Sequence, residues 1–438
     1  MERGEKLQKL LLCYVPVVGL LYCMDPLLDP VSYLLYLVTG LAGLLVTALL
    51  VLGGRMFQRA DCRLLLAFTL CFWLSSLCSF GFGLAFFLSR FFTSWCVLLS
   101  LYLAAAFIRD RQRLAARFFL ACVLGLMILN LSVLILASRS LCEEQPVIDR
   151  FYGCFLFGRL WAVGNANILG FYAAALLFAS CYGLLNCPGR YRLVFAAGVL
   201  LGWMNLGLSG CRTGIVGVSL SAGLLCFLRL YDGAGYKRLF RAALFGMLAS
   251  AAALLLLYCS VFVYQWIMGL IARLSGNDFL LSNLQTLKLR RLSDDDGTFT
   301  GRTLIWARCI REVFRSPRRA LLGVSSLGWG NISSVYPGHH EIFTAHAHNE
   351  LLEILQRFGL IGLGIWLALL GIWCGKGFRL FFDRSRPLFL RDLSALAIGI
   401  LIMGITEPLP FHPSGTAVLA VPFFLICGCV MQERRHAK

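Results

Sequence analysis

Charge is scarce in this chain, and negative charge scarcer still: 14% of its 438 residues are charged, and Asp and Glu together number 22. That shortage excludes a soluble globular domain, because 59% hydrophobic residues and a mean hydropathy of +0.78 describe a chain whose main solvent is lipid. Internal repeats and low-complexity linkers are missing too, and nothing marks a separate soluble domain. There are 18 cysteines, none in C-x-x-C spacing, which argues against a cysteine metal site. Most lie in apolar runs, such as Cys71, Cys122, Cys226 and Cys427, where they act as small apolar residues. Cys142 and Cys154 share one expected outer loop and form a candidate disulfide pair in oxidising surroundings. No small-x-small cleavage site follows the basic N-terminus, so the first apolar segment is expected to stay as an anchor.

What the chain has is long apolar runs. Segments able to cross about 30 Å of hydrocarbon at about 20 residues each fall at 10–24, 31–53, 64–88, 92–108, 115–137, 161–185, 193–209, 214–228, 243–268, 349–375, 390–407 and 414–431. Lipid-exposed backbone must satisfy its own hydrogen bonds, and these runs do not alternate as barrel strands do. The expected fold is all-α, a polytopic transmembrane helix bundle of about 12 spans forming a single integral membrane domain over residues 1–438.

Cations set the orientation. With the N-terminus inside, inner segments hold clusters such as Arg55, Arg59 and Arg63, or Arg109, Arg111, Arg113 and Arg117. The short outer loops hold only Arg90, Arg139, Arg150, Arg159 and Arg212, so both termini are expected in the cytoplasm. The net charge of +18 is mostly this topology signal and does not argue for nucleic acid. One large extracytoplasmic loop, residues 269–347, breaks the pattern with Arg273, Lys288, Arg290, Arg291, Arg302, Arg308, Arg311, Arg315, Arg318 and Arg319. Long loops translocate largely regardless of charge; as a set, these cations suggest a surface that meets an anion.

Four groups on the expected outer face carry chemistry. Ser209-Gly210-Cys211-Arg212-Thr213-Gly214 is a tight turn between apolar runs, where an arginine is costly unless it snorkels or pairs, and where glycines admit a close ligand. Gly301-Arg302-Thr303-Leu304-Ile305-Trp306 opens an amphipathic helix through Arg315. Arg308, Arg311 and Arg315 form a basic stripe toward solvent or lipid headgroups, with Leu304, Ile305 and Trp306 expected against the membrane. Arg302 stands apart in the first turn, where free backbone N–H groups also favour anions. Gly323, Gly328 and Gly330 mark an irregular loop able to fold over a substrate.

The third group is histidine-rich. His339, His340, His346, His348 and His412 fall outside, and His436 in the cytoplasmic tail. His346 and His348 would face apart on a helix, and no clustered Cys or acidic residue completes a metal set. His348, at the start of the tenth span, can take a proton from a hydroxyl or orient it, while Glu353 and Arg357, four apart, can neutralise one another. The fourth group, Gly164-Asn165-Ala166-Asn167-Ile168-Leu169-Gly170, offers amides that either bind sugar hydroxyls or glue helices together. Asp294-Asp295-Asp296 lacks a second acidic partner and reads as a solvated loop rather than a magnesium–diphosphate site.

The order Asn165-Ala-Asn167, Ser209-x-x-Arg212, a long outer loop, Gly301-Arg302-x-x-x-Trp306, a glycine-rich stretch, Ala347-His348-Asn349-x-Leu351-Leu352-Glu353 and Gly359-Leu-Ile-Gly362 resembles the O-antigen ligase and polymerase superfamily over roughly residues 160–375. The resemblance implies an inverting, metal-independent glycosyltransferase without cofactor in the bacterial plasma membrane. Its donor would be a glycan on undecaprenyl diphosphate, its acceptor a saccharide or lipid-saccharide hydroxyl, and membrane lipid its surroundings. It also implies that Arg212 and Arg302 contact the donor diphosphate and that His348 activates or positions the acceptor hydroxyl. Asn349, His346 and Asn167 are the further substrate-binding candidates. Three positions depart from the family pattern: Cys211 stands for a serine, Ala166 replaces the proline of Asn-Pro-Asn, and His346 is a second candidate beside His348. A polymerase of repeat units shares the donor chemistry, as does a transferase acting on protein hydroxyls. A flippase of lipid-linked sugars would place charge along a pathway open to both sides, whereas here it gathers on one.

Overall fold

The computed structural model describes residues 2–52, 56–77, 92–142, 152–156, 158–231, 235–285, 287, 302–323, 333–334, 342–343, 347–410 and 417–431. Among them the main helices are α1 (Glu2–Met24), α2 (Asp29–Leu52), α3 (Ala60–Leu77), α4 (Thr93–Phe107), α5 (Arg111–Ser140), α6 (Ala166–Asn186), α7 (Arg192–Ser209), α8 (Arg212–Leu230), α9 (Tyr236–Ser275), α10 (Asp278–Leu284), α11 (Arg302–Val313), α12 (Pro317–Leu322), α13 (Glu350–Phe382), α14 (Leu388–Met403) and α15 (Ala417–Met431). A hairpin of β1 (Cys154–Leu156) and β2 (Arg159–Trp161) precedes α6. Each apolar run expected from sequence contains a described helix, while residues 53, 78–88 and 414–416 of these runs lie outside the described residues. Among the described residues, eight stretches are long and apolar enough to cross a membrane: Glu5–Leu28, Leu34–Leu52, Arg111–Ser140, Ala166–Asn186, Gly189–Ser209, Arg212–Leu230, Tyr236–Ser275 and Glu350–Phe382. Thr93–Phe107 and Val418–Met431 are apolar but shorter. The described part of the stretch between α9 and α13 is itself largely helical, as α10, α11 and α12.

Two compact units divide the chain. The first comprises residues 1–32, 108–294 and 380–399. Its helices approach closely through small residues: a Cβ on Gly207 would collide with Ser260, and one on Gly223 with Ser250, so α9 packs tightly on both α7 and α8. Buried Asp392 takes both Nη1 and Nη2 of Arg229, at 2.9 and 2.7 Å, and the Asn186 amide at 2.9 Å. An acidic side chain in apolar surroundings thus has a fork-shaped cationic partner. Cys142 and Cys154, the expected disulfide pair, are separate thiols, because Cys154 is buried in the β1–β2 hairpin while Cys142 is exposed after α5.

The second unit comprises residues 33–107, 295–379 and 400–438. Its core is aromatic: Phe72 stacks on Trp95 at 5.5 Å, and Phe68 meets Phe358 at 5.3 Å and Trp366 at 5.1 Å. Arg59 ties helix ends together, pairing with Asp61 at 2.6 Å and donating to the Met431 carbonyl at 3.0 Å, one of the orphan acceptors of a helix C-terminus. Asp61 also takes the Tyr102 hydroxyl. Helix α13 is kinked at Gly359, whose φ of +64° is left-handed, and the C-terminal turn of α12 packs into the kink. A Cβ on Gly359 would strike the Leu321 carbonyl, and one on Gly323 the Arg357 carbonyl, so both positions require glycine.

Candidate functional site

In the second unit, three charged or titratable side chains meet. Arg302 opens α11, His348 directly precedes α13, and Glu407 follows α14. Glu407 Oε1 accepts from Arg302 Nη2 at 2.6 Å, and Oε2 faces His348 Nδ1 at 3.1 Å. The carboxylate is deeply buried, 3% exposed, whereas Arg302 is 15% and the His348 ring 25% exposed. An ionised carboxylate only accepts, so the contact to His348 is a hydrogen bond when the ring carries its proton on Nδ1.

The backbone around His348 is fixed from several directions. Trp306, one turn beyond Arg302 on α11, donates Nε1–H to the Ala347 carbonyl at 3.0 Å. The Ala347 N–H reaches Glu353 Oε2 at 2.7 Å, while Glu353 Oε1 takes Arg357 Nε at 2.5 Å. The expected Glu353–Arg357 pair is thus present, buried, and also holds the histidine segment. Asn349, expected to bind substrate, has one donor on the Ile405 carbonyl at 2.9 Å and its oxygen on the Leu352 N–H at 3.0 Å, so it caps α13 as well. Held this way, His348 adopts φ +50°, a conformation that costs energy in a non-glycine residue and that clusters at functional sites.

One expectation is corrected here. Ile305 does not rest on the membrane: it is buried with Cys309 and Ala347, with Leu352 packed against them, and Trp306 is turned toward the same cluster. The apolar side of α11 covers the α13 entrance; Leu304 does remain exposed. Burial pushes the Cys309 thiol up to about 12, so it stays protonated and plays the part of a small apolar residue.

In the first unit, the asparagine and arginine motifs come together. A Cβ on Gly170 would collide with Cys211 and lie 3.0 Å from Ser209 Oγ, so the α7–α8 turn sits directly on α6. Gly210 ends α7 at φ +58° and Arg212 is the first residue of α8, exposed, behind an N-cap, Cys211, that makes no side-chain cap bond. Arg159, at 7% exposure, links these pieces: Nε donates to the Ser209 carbonyl at 2.6 Å and Nη2 to Asn167 Oδ1 at 2.9 Å. Asn165 caps α6 through the Asn167 N–H at 2.8 Å. Just before it, Val163 has φ +56°; among the described residues it and His348 are the non-glycine residues with positive φ, one in each region. Arg159→Ala removes two charge-assisted bonds, one from the buried Ser209 carbonyl and one from the half-buried Asn167 amide, and should cost about 2–3 kcal/mol. A heat-inactivation midpoint equal to wild type in detergent would show the latch to be dispensable.

Glu407 and Arg159 were not singled out in the sequence. The signal for Glu407 was an acidic residue at the end of an apolar run, a functional flag in membrane segments; Arg159 looked like one more outer-loop cation. His346, with His339, His340, His412, His436, Gly301, Gly328, Gly330 and the Asp294–Asp296 run, lies outside the described residues. Among the described residues, no three His, Cys, Asp or Glu side chains converge as a metal set.

Residues 197–367 match a family model described as O-antigen ligase. No curated protein matches the chain significantly. The matched stretch leaves out Arg159, Asn167 and Glu407, which reach it only through the fold. The similarity to the O-antigen ligase family thus covers residues 197–367, the stretch that holds Arg212, Arg302 and His348.

Proposed function

We propose that this protein is a metal-independent, inverting glycosyltransferase of the O-antigen ligase type, moving a glycan from undecaprenyl diphosphate to an acceptor hydroxyl. The observation that carries it is one buried carboxylate, Glu407, shared between a phosphate-binding type of cation, Arg302, and the imidazole of His348. In a single displacement, the acceptor oxygen bonds the anomeric carbon as the bond from that carbon to the diphosphate breaks. The electron pair leaves with the diphosphate, and the hydroxyl proton passes to the His348 imidazole. Arg302 stabilises the charge growing on the leaving group, and Arg212 is assigned to the same diphosphate by the family resemblance. The topology that goes with this reading has about 12 spans, both termini in the cytoplasm and residues 269–347 outside, in a bacterial plasma membrane.

The test is transfer by the purified, reconstituted protein from undecaprenyl-diphosphate glycan to a candidate saccharide acceptor, with chelator present. Arg302→Ala and Arg212→Ala should each weaken the donor interaction by about 10–100-fold, the effect of losing a hydrogen bond to a charged group. Wild-type transfer by both variants would sink the assignment, and loss of activity on chelation would sink the metal-free mechanism.

A further inference from the structure

The α11–α12 pair shows a surface that neither the transfer reaction nor the core uses. Residues 302–322 hold six arginines, Arg302, Arg308, Arg311, Arg315, Arg318 and Arg319, against a single acid, Glu312. Glu312 is shared by Arg315 at 3.6 Å and Arg319 at 3.1 Å, and Arg302 belongs to Glu407. Arg311, Arg315 and Arg318 are exposed. Interleaved with them, Phe314, Leu321 and Leu322 are each about half exposed, an unusual state for large apolar groups beside arginines in plain water.

The depth of this surface can be read from α13. Residues 358–375 carry no charge, bounded by Arg357 and Lys376. That run is about 27 Å long, close to the thickness of the hydrocarbon core. A run of that length fits one edge of the hydrocarbon near Arg357 and Gly359, with the buried Glu353–Arg357 pair just beyond it. It is there that the end of α12 is seated, with the Leu321 carbonyl and Gly323 in the Gly359 kink. With the edge there, Leu321 and Leu322 meet the boundary of the hydrocarbon.

From this we infer that α11 and α12 lie in the membrane interface, where Arg311, Arg315 and Arg318 bind the phosphates of anionic phospholipid headgroups while Phe314, Leu321 and Leu322 enter the acyl boundary. Guanidinium groups pair with phosphate, and exposed apolar side chains alternating with them match an interfacial helix rather than a solvated one. The lipid surface stands without the glycan-transfer reading. Only its consequence rests on that reading: docking α11 at headgroup level would hold Arg302 at the height of a lipid-linked diphosphate.

The experiment places full-length protein in phosphatidylcholine nanodiscs, with or without phosphatidylglycerol, and follows amide exchange over residues 302–323 by mass spectrometry. Phosphatidylglycerol should slow exchange by about tenfold or more, since each arginine near an anionic surface favours it severalfold. High salt should erase the effect by screening, as should combining Arg311→Gln, Arg315→Gln and Arg318→Gln. Equal exchange in both discs would overturn the proposal. So would protection that appears only when a soluble phosphorylated saccharide is added to phosphatidylcholine discs, which would make the surface an acceptor-docking face instead. The wild-type comparison needs no variant, so misfolding of the triple substitution leaves the test intact.

Discussion

Replacing His348 with alanine should lower glycan transfer by about 10²–10⁴-fold, the usual contribution of a positioned base, without emptying the donor site. The ring is 25% exposed, and its loss leaves Glu407 still paired with Arg302, so no buried charge is orphaned. A more searching variant is His348→Gly. At φ +50° any side chain carries a left-handed penalty of roughly 1–2 kcal/mol, so glycine relaxes the backbone while removing the imidazole. The glycine variant should be at least as heat-stable as the alanine one, and added imidazole should restore part of its turnover by entering the slot beside Glu407 Oε2. Transfer by His348→Ala at the wild-type rate would remove the histidine from the mechanism. Failure of imidazole to help, with the fold intact, would show that orientation by the chain, not basicity alone, is what the residue supplies.

Helices were legible in the sequence because a membrane span needs only an unbroken apolar run, a property of neighbouring residues. The same locality made Arg302 readable at a helix start and His348 just before a span, and Gly170 within an asparagine motif that the fold sets against Ser209 and Cys211. Glu407 lay beyond that reach. It sits 105 residues from Arg302 and 59 from His348, and a single acid pairing across such distances leaves no periodic trace. Arg159 is hidden in the same way, 50 residues from the turn it holds. The misplacement of Ile305 and Trp306 has a related cause: amphipathicity tells which face of α11 is apolar but not whether lipid or the neighbouring Ala347 segment covers it. Cys142 and Cys154 failed as a pair because closeness along the chain says nothing about a hairpin that buries one and leaves the other exposed.

Glu407→Gln should separate donor binding from chemistry. In the structure, one carboxylate accepts from Arg302 and faces His348 Nδ1 at the same time. An amide of the same shape has one accepting oxygen and one donating nitrogen, so it satisfies only one of these donors and opposes the other with an N–H. Turnover at saturating donor should therefore fall by about 100-fold or more, because His348 loses the carboxylate that faces its Nδ1. Donor affinity should behave differently. A diphosphate arriving at the wild-type site competes with Glu407 for Arg302, whereas in the glutamine variant that arginine has lost its internal counter-ion. Binding of a lipid-diphosphate analogue should hold or tighten, the reverse of Arg302→Ala, where binding weakens. Glu407→Asp, one methylene shorter, should recover part of the turnover if a negative charge facing His348 is what matters. If Glu407→Gln instead weakened donor binding as much as it slowed turnover, the carboxylate would be a strut of the fold. If it did neither, the shared contact would be an incidental neighbourhood of charges. The proposed split requires that Arg302 change partners during the reaction, from the protein's own carboxylate to the substrate's phosphate, with Glu407 left to His348 at the moment its base is needed.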